Sequence, residues 1–254
     1  TRYLQNRKVD SENCTFNSPS ELISHLYPSY KDLVPFVILL SIKSGLNAEA
    51  LLTLTRDCLL GEEGGKTIVE FKKHRGSHDQ MQIPFSNRGS TSPISLIKLV
   101  LKMTESLVPF ASDDEKNSLW LAIRKAGPGW PYLGQTAALT YDATMYFANG
   151  LKQGPLTFTG FMEVHDLRDR NGEFLKFGFR QTRKTVATNA YLKSGNLANI
   201  SKKTLKHHGK QALNTTAFHY LTNDATHHVH NQTIRIAQDK VCLLYTSPSP
   251  RDRG

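Results

Sequence analysis

The sequence predicts an α+β fold, mostly helical, with a small antiparallel β-hairpin or sheet near its N-terminal part. Two observations carry that expectation. Apolar residues recur at helical spacing over several stretches, with Val186, Ala187, Ala190 and Tyr191 or Leu192 as a clear late example. The period falls to two in TIVEFKK (67–73) and again in QMQIPF (80–85), on either side of the basic turn HRGSHD. An early hairpin among helical patterns describes an α+β domain.

The elements follow in order. Residues 1–17 are polar and aperiodic and read as a linker. SPSE (18–21) reads as a capping box with Pro19 at the first helical position, opening a short helix to about Tyr27. An apolar helix over 31–45 ends near Gly45, and Asn47 can cap the next, where Ala50, Leu51 and Leu54 recur. After the hairpin, 93–107 reads as an amphipathic helix, and SLWLAIRK (118–125) fits helix and strand equally. GPGWPYLG (127–134) marks a loop, 138–150 fits a helix, and DRNGEFLKF (169–177) reads as a turn and strand. Three helices are predicted at the end: 183–194, 197–207 and roughly 213–222. LLYTSPSPRDRG (243–254) resembles translated sequencing-adapter read-through, with an exposed basic tail as the alternative.

Composition narrows the function classes. Of 254 residues, 32 are Lys or Arg against 22 Asp or Glu, a net charge of +10, which favours a polyanionic partner, nucleic acid first. Cys14, Cys58 and Cys242 match neither a disulfide framework nor a metal cluster and fit a reduced intracellular setting. His227, His228 and His230 lie close together, but no carboxylate or cysteine completes a metal site, and a solvated polar tail explains them. The apolar run LVPFVILLSI (33–42) is too short to span a bilayer.

Chemistry concentrates towards the C-terminal part. Arg180 and Arg183 stand three residues apart at the mouth of a helix that Thr182 or Thr185 can cap. Residues at that spacing share a helical face, so two guanidinium forks point one way, towards a phosphate or carboxylate. LKHH then supplies His207 and His208, and TTAFHY supplies Tyr220.

This order, with the basic hairpin upstream, resembles the catalytic domain of the tyrosine recombinases, the phage-integrase family, over about residues 25–222. The family's helix carries a pattern like H-x-x-R-H-T-F-A-T, standing here as Arg180-Gln-Thr-Arg183-Lys-Thr-Val-Ala-Thr188. DRNGEFLKFGF looks like the family's lead-in to that helix. SGLNAEALLTLTRDCL (44–59) is similar to its first motif, usually G-L-R followed by an acidic residue and Leu. The implied layout is a linker or remnant of an N-terminal DNA-binding domain (1–24), a catalytic domain (25–225) and a C-terminal segment (226–242).

The resemblance implies strand exchange on double-stranded DNA without cofactor or metal. Tyr220 would attack a phosphodiester to leave a 3′-phosphotyrosine, with Arg183 as phosphate clamp and His207 as a further donor, His208 being its near rival. Lys73 would protonate the leaving 5′-oxygen, with Lys72 and Arg75 as competing choices, and Lys184 and His208 join Lys72 and Arg75 as DNA contacts. It further implies a homotetramer on paired sites and a cytoplasmic, nucleoid-associated protein of bacterial or phage origin, acting in recombination or integration of a mobile element. A chain lacking the N-terminal domain would bind DNA weakly by itself. A type IB topoisomerase shares the chemistry, but no extra clamp domain is visible.

Two positions depart from the pattern. Arg180 replaces histidine or lysine, and a guanidinium donates to phosphate but is a poor proton acceptor. Asn47 replaces the first catalytic arginine, a loss of about 3 kcal/mol on the scale of a missing oxyanion-hole donor. Arg180 and Arg56 are the candidate substitutes. The alternative is a catalytically impaired DNA-binding module of the same fold. Plainer roles stand beside each assignment: a helix cap for Asn47, a salt bridge to the acidic stretch 165–173 for Arg180, backbone contact for Lys73, and a core aromatic beside Phe218 for Tyr220.

Overall fold

The computed structural model describes residues 23, 25–72, 80–124, 135–153 and 156–194. Helix α1 (Tyr30–Ser44) starts behind Ser29, whose backbone N–H and hydroxyl both donate to Asp32 Oδ2 at 2.7 Å. It stops at Gly45, which takes the left-handed φ of 67° and returns its N–H to Ser41 O at 3.0 Å. Asn47 caps α2 (Ala48–Leu52), so the loop between the helices is only three residues. Capping and termination therefore follow the sequence signals.

The change of period gives a three-stranded antiparallel sheet of β1 (Leu59–Glu63), β2 (Lys66–Lys72) and β3 (Gln80–Ser86), in that spatial order. Along β2 the buried residues alternate, Thr67, Val69 and Phe71, while Lys66 and Lys72 are exposed. Val69 stands opposite Ile83, and Lys72 opposite Gln80. Strand β1 was not expected. It is an outer strand with no buried residue, broken by a register shift between Leu59 and Glu62, so its sequence carries no alternation to detect. Its turn into β2 uses Gly64 and Gly65, both with positive φ.

Helix α3 (Pro93–Thr104) is shorter than the predicted 93–107. It gives way to a 3₁₀ turn over Glu105–Phe110, with Pro109 inside. Ser92 caps α3 by accepting the Ser95 N–H at 3.1 Å. The ambiguous stretch at 118–125 resolves as β4 (Leu121–Ile123), wholly buried and paired with β5 (Thr136–Ala138). Just before it, Trp120 is fully buried and its indole N–H donates to Leu51 O at 2.7 Å. Leu33, Leu40, Leu51, Leu54 and Ile94 belong to the same main core and are as deeply buried.

Helix α4 (Tyr141–Asn149), capped by Thr140, leads into a small hairpin of β6 (Leu151–Gln153) and β7 (Leu156–Phe158), then the single-turn α5 (Phe161–Val164). The neck of this hairpin is a backbone crossing. A Cβ on Gly150 would lie 2.4 Å from Phe158 O, and one on Gly160 would lie 2.2 Å from Gly150 N. The stacked rings of Tyr146 and Phe158, 4.7 Å apart, hold the hairpin against α4.

The strand expected within 169–177 does not form. Asp169 Oδ1 instead accepts the N–H groups of Asn171 and Glu173, and only an isolated bridge, Arg168 with Phe174, remains. At Phe177 the side chain of Asn149 takes the place of a partner strand, accepting its N–H at 2.6 Å and donating to its carbonyl at 3.0 Å. Phe177 and Phe179 then turn their rings into the main core, 4.9 Å apart. Helix α6 (Phe179–Ser194) consequently starts four residues before the predicted 183. The chain divides into two compact units, 1–179 and 180–254, the division falling just after the first residue of α6.

Candidate nucleic-acid interface

The early start of α6 changes the setting of the arginine pair. Arg180 and Arg183 lie within the first two turns rather than ahead of the helix, so neither Thr182 nor Thr185 is its cap. Thr185 is interior and donates to Gln181 O at 3.0 Å. Arg180 is exposed. Arg183 is half-buried, with its Nε shielded from solvent. Further along, Ala187 is fully buried, with Ala190 and Tyr191 packed on it. Arg183, Ala187, Ala190 and Tyr191 recur at helical spacing as one stripe, so the guanidinium extends the helix's inward face. Lys184 follows Arg180 at i+4, and no acidic residue occupies the first turn. Three cations at the positive end of a sixteen-residue helix dipole favour an anion there.

Asn47 has a definite structural task, its Oδ1 accepting the Ala50 N–H at 2.8 Å. Asn47→Ala is expected to lower unfolding stability by about 1 kcal/mol, as for a lost cap, with Asn47→Asp close to the parent. Urea unfolding monitored by tryptophan fluorescence measures both. Arg56, a candidate substitute for the missing arginine, is committed elsewhere. Its guanidinium donates to Thr104 Oγ1 at 2.7 Å and Leu101 O at 3.1 Å, closing the C-terminal end of α3. Burial draws its pKa down against the opposing charge of Glu105. To reach a phosphate it would have to abandon that helix end.

Lys72 sits on the last described rung of the β2–β3 ladder and lines a cleft of about 150 Å³. Thr53, Thr55, Asp57, Glu70 and Asn117 share that cleft. The Asp57 carboxyl is held below the usual carboxylate range chiefly by a hydrogen bond from Thr55, against an upward push from burial, and then by its own backbone N–H, by Asn117 and, least, by the Lys72 charge. Asn117 Nδ2 donates to Asp57 Oδ1 at 3.4 Å. Neither Asp57 nor Asn117 was singled out in the sequence. Asp57 lies inside the 44–59 motif, but its partner is 60 residues away. Neighbouring Cys58 is buried, and burial, helped by the Asp57 charge, pushes its thiol up to about 12. It is therefore a core residue, protonated and unreactive at neutral pH.

Lys73, Arg75, His207, His208 and Tyr220 lie outside the described residues. Among the described residues, no group of three or more His, Cys, Asp or Glu could hold a metal ion. Within the same residues, no helix is long and apolar enough to cross a membrane.

The described architecture is an α+β domain with a three-stranded sheet whose central strand ends in lysine, followed by a separate unit opened by an arginine-bearing helix. Among solved structures, the chain is similar to the XerH site-specific recombinase bound to palindromic difH substrate in a post-cleavage complex. That match has a TM-score of 0.45 and 17% identity and covers 86% of this chain and 49% of the other. It is also similar to the same recombinase bound to difH in a pre-cleavage complex, with a TM-score of 0.44 and 17% identity, covering 79% of this chain and 46% of that one. The chain thus spans about half the length of the structures it matches. No family model and no curated protein matches it.

Proposed function

We propose that the chain is the DNA-cleaving and rejoining part of a tyrosine-type site-specific recombinase. The observation that carries this reading is the arginine pair in the opening turns of α6, within the run Arg180-Gln-Thr-Arg183-Lys-Thr-Val-Ala-Thr188. In this reading Arg183 grips the non-bridging oxygens of a DNA phosphate and Arg180 adds a second fork. Tyr220 Oη attacks the phosphorus, the P–O5′ bond breaks, and the 3′-phosphotyrosine forms. The phenol proton passes to solvent water as attack proceeds, because the free group titrates near 10 and is protonated at neutral pH. His207 or His208 donates to the phosphate, and Lys73, Lys72 or Arg75 protonates the departing 5′-oxygen. The guanidinium groups meet the developing negative charge, so no metal is called for. Lys184 makes a backbone contact. The working assembly is a homotetramer on paired sites of a mobile element.

A second reading has its own observation: Asn47 is occupied as a helix cap and Arg56 at the end of α3, leaving the first arginine's role unfilled by either. That favours a module which holds duplex DNA without cutting it. Both readings expect affinity that falls steeply with salt. The test is covalent capture. The chain is incubated for hours with a pool of nicked duplexes of randomised sequence, then denatured in SDS. A protein–DNA adduct is expected; salt-sensitive binding with no adduct on any duplex would give the answer to the module.

A further inference from the structure

The cleft at the end of β2 joins two pieces of chain that the sequence keeps apart. The segment after α2 runs through Thr55, which bridges to Ser118, and Arg56 donates its N–H to Asn117 O at 2.8 Å. Glu70 donates its N–H to Cys58 O at 2.8 Å, extending the β1–β2 ladder one residue towards α2. That extension carries Asp57 alongside the Phe71–Lys72 end of β2. Asp57 sits in the turn between two fixed points, the Arg56 N–H on Asn117 O and the Cys58 O on the Glu70 N–H, and its carboxylate accepts from Asn117 Nδ2 at 3.4 Å. Among the described residues, Lys72 has no such tether. It stands at an exposed position of the β2 alternation and lines the cleft together with Asp57. Glu70, on the same outward side of β2, is engaged by Gln82 Nε2 at 3.0 Å. Asp57 is thus an anion of the cleft that Lys72 lines at the last described residue of β2, and the lysine's charge helps to keep its carboxyl ionised.

We infer that Asp57 is a positioning residue that holds the Lys72 ammonium in this cleft and so sets the end of the β2–β3 ladder in register before DNA arrives. This rests on the recombinase reading only for its catalytic consequence; the anchoring itself is independent of DNA. A long cation on the last described rung of the β2–β3 ladder samples many rotamers unless a fixed anion selects among them. Selecting one keeps the Lys72–Gln80 rung closed and presents the lysine to a phosphate from one place.

The test is a double-mutant cycle of Asp57→Asn and Lys72→Gln with two readouts. The first is amide hydrogen exchange at Phe71, Lys72, Gln80 and Met81 without DNA. Either single variant is expected to exchange about fivefold faster than the parent at these amides, and the double variant no faster than either single. Asp57→Glu is expected to recover most of the protection. The second readout is the rate of adduct formation at saturating nicked duplex, expected to fall about tenfold in Asp57→Asn with duplex affinity within about twofold. Unchanged exchange in Asp57→Asn, or exchange in the double variant that multiplies the single effects, overturns the inference. No adduct from the parent chain overturns the recombinase reading and leaves the exchange cycle to decide the anchoring.

Discussion

Tyr220→Phe is expected to abolish the SDS-stable adduct, a loss of more than about 10⁴-fold, on the scale seen when an enzyme loses its nucleophile. Duplex affinity should stay within about twofold, because phenylalanine keeps the ring and removes only the oxygen that must form the bond to phosphorus. The pairing of those two results is what matters. A residue that merely packs beside Phe218 would lose stability on truncation but not on loss of a hydroxyl alone. Adduct that persists in Tyr220→Phe would move the nucleophile elsewhere, and peptide mapping of the adduct would locate it. The measurement is a gel-shift in SDS with end-labelled nicked duplex, alongside filter binding of the same duplex.

Arg183→Ala is expected to slow adduct formation by about 10²–10³-fold, equivalent to roughly 3–4 kcal/mol of lost transition-state stabilisation. Arg183→Lys should recover little, since a point charge cannot reproduce a two-pronged grip on phosphate oxygens. Arg180→Ala should cost less, because Arg180 is exposed where Arg183 is half-buried, and water screens it more. Single-turnover rates on saturating duplex give the comparison. The half-burial of Arg183 demands a control: its stem lies on the stripe with Ala187 and Ala190, so truncation also removes packing. A thermal unfolding midpoint that falls sharply while the adduct rate holds would place Arg183 in the scaffold and not in the chemistry.

What the sequence discloses and what it hides divide along the range of the interactions involved. The cap at Asn47, the stop at Gly45 and the β2–β3 pairing are decided by residues close in sequence, and all were legible there. Where α6 begins was not, because the chain ahead of it is fixed by Asn149, 28 residues earlier, and by two aromatic rings in the core. The expected strand at 169–177 failed for a local reason, the Asp169 turn, which competes with extended backbone. Strand β1 was missed because an exposed outer strand has no buried face to write into its pattern. In the candidate site the cationic residues announced themselves by type and spacing. Asp57 did not, since a carboxylate becomes an anchor only through partners that folding supplies.

The crossing of Gly150 over Gly160 bears on how this polypeptide can diverge. At each position an added methyl would strike main chain, which no distant side-chain change can move aside. Drift at either site is therefore closed off not gradually but at the first step, and neither change can rescue the other. Sequences descended from this one that retain the hairpin should keep both glycines together, while those that lose one should have discarded or rebuilt the whole 150–160 stretch.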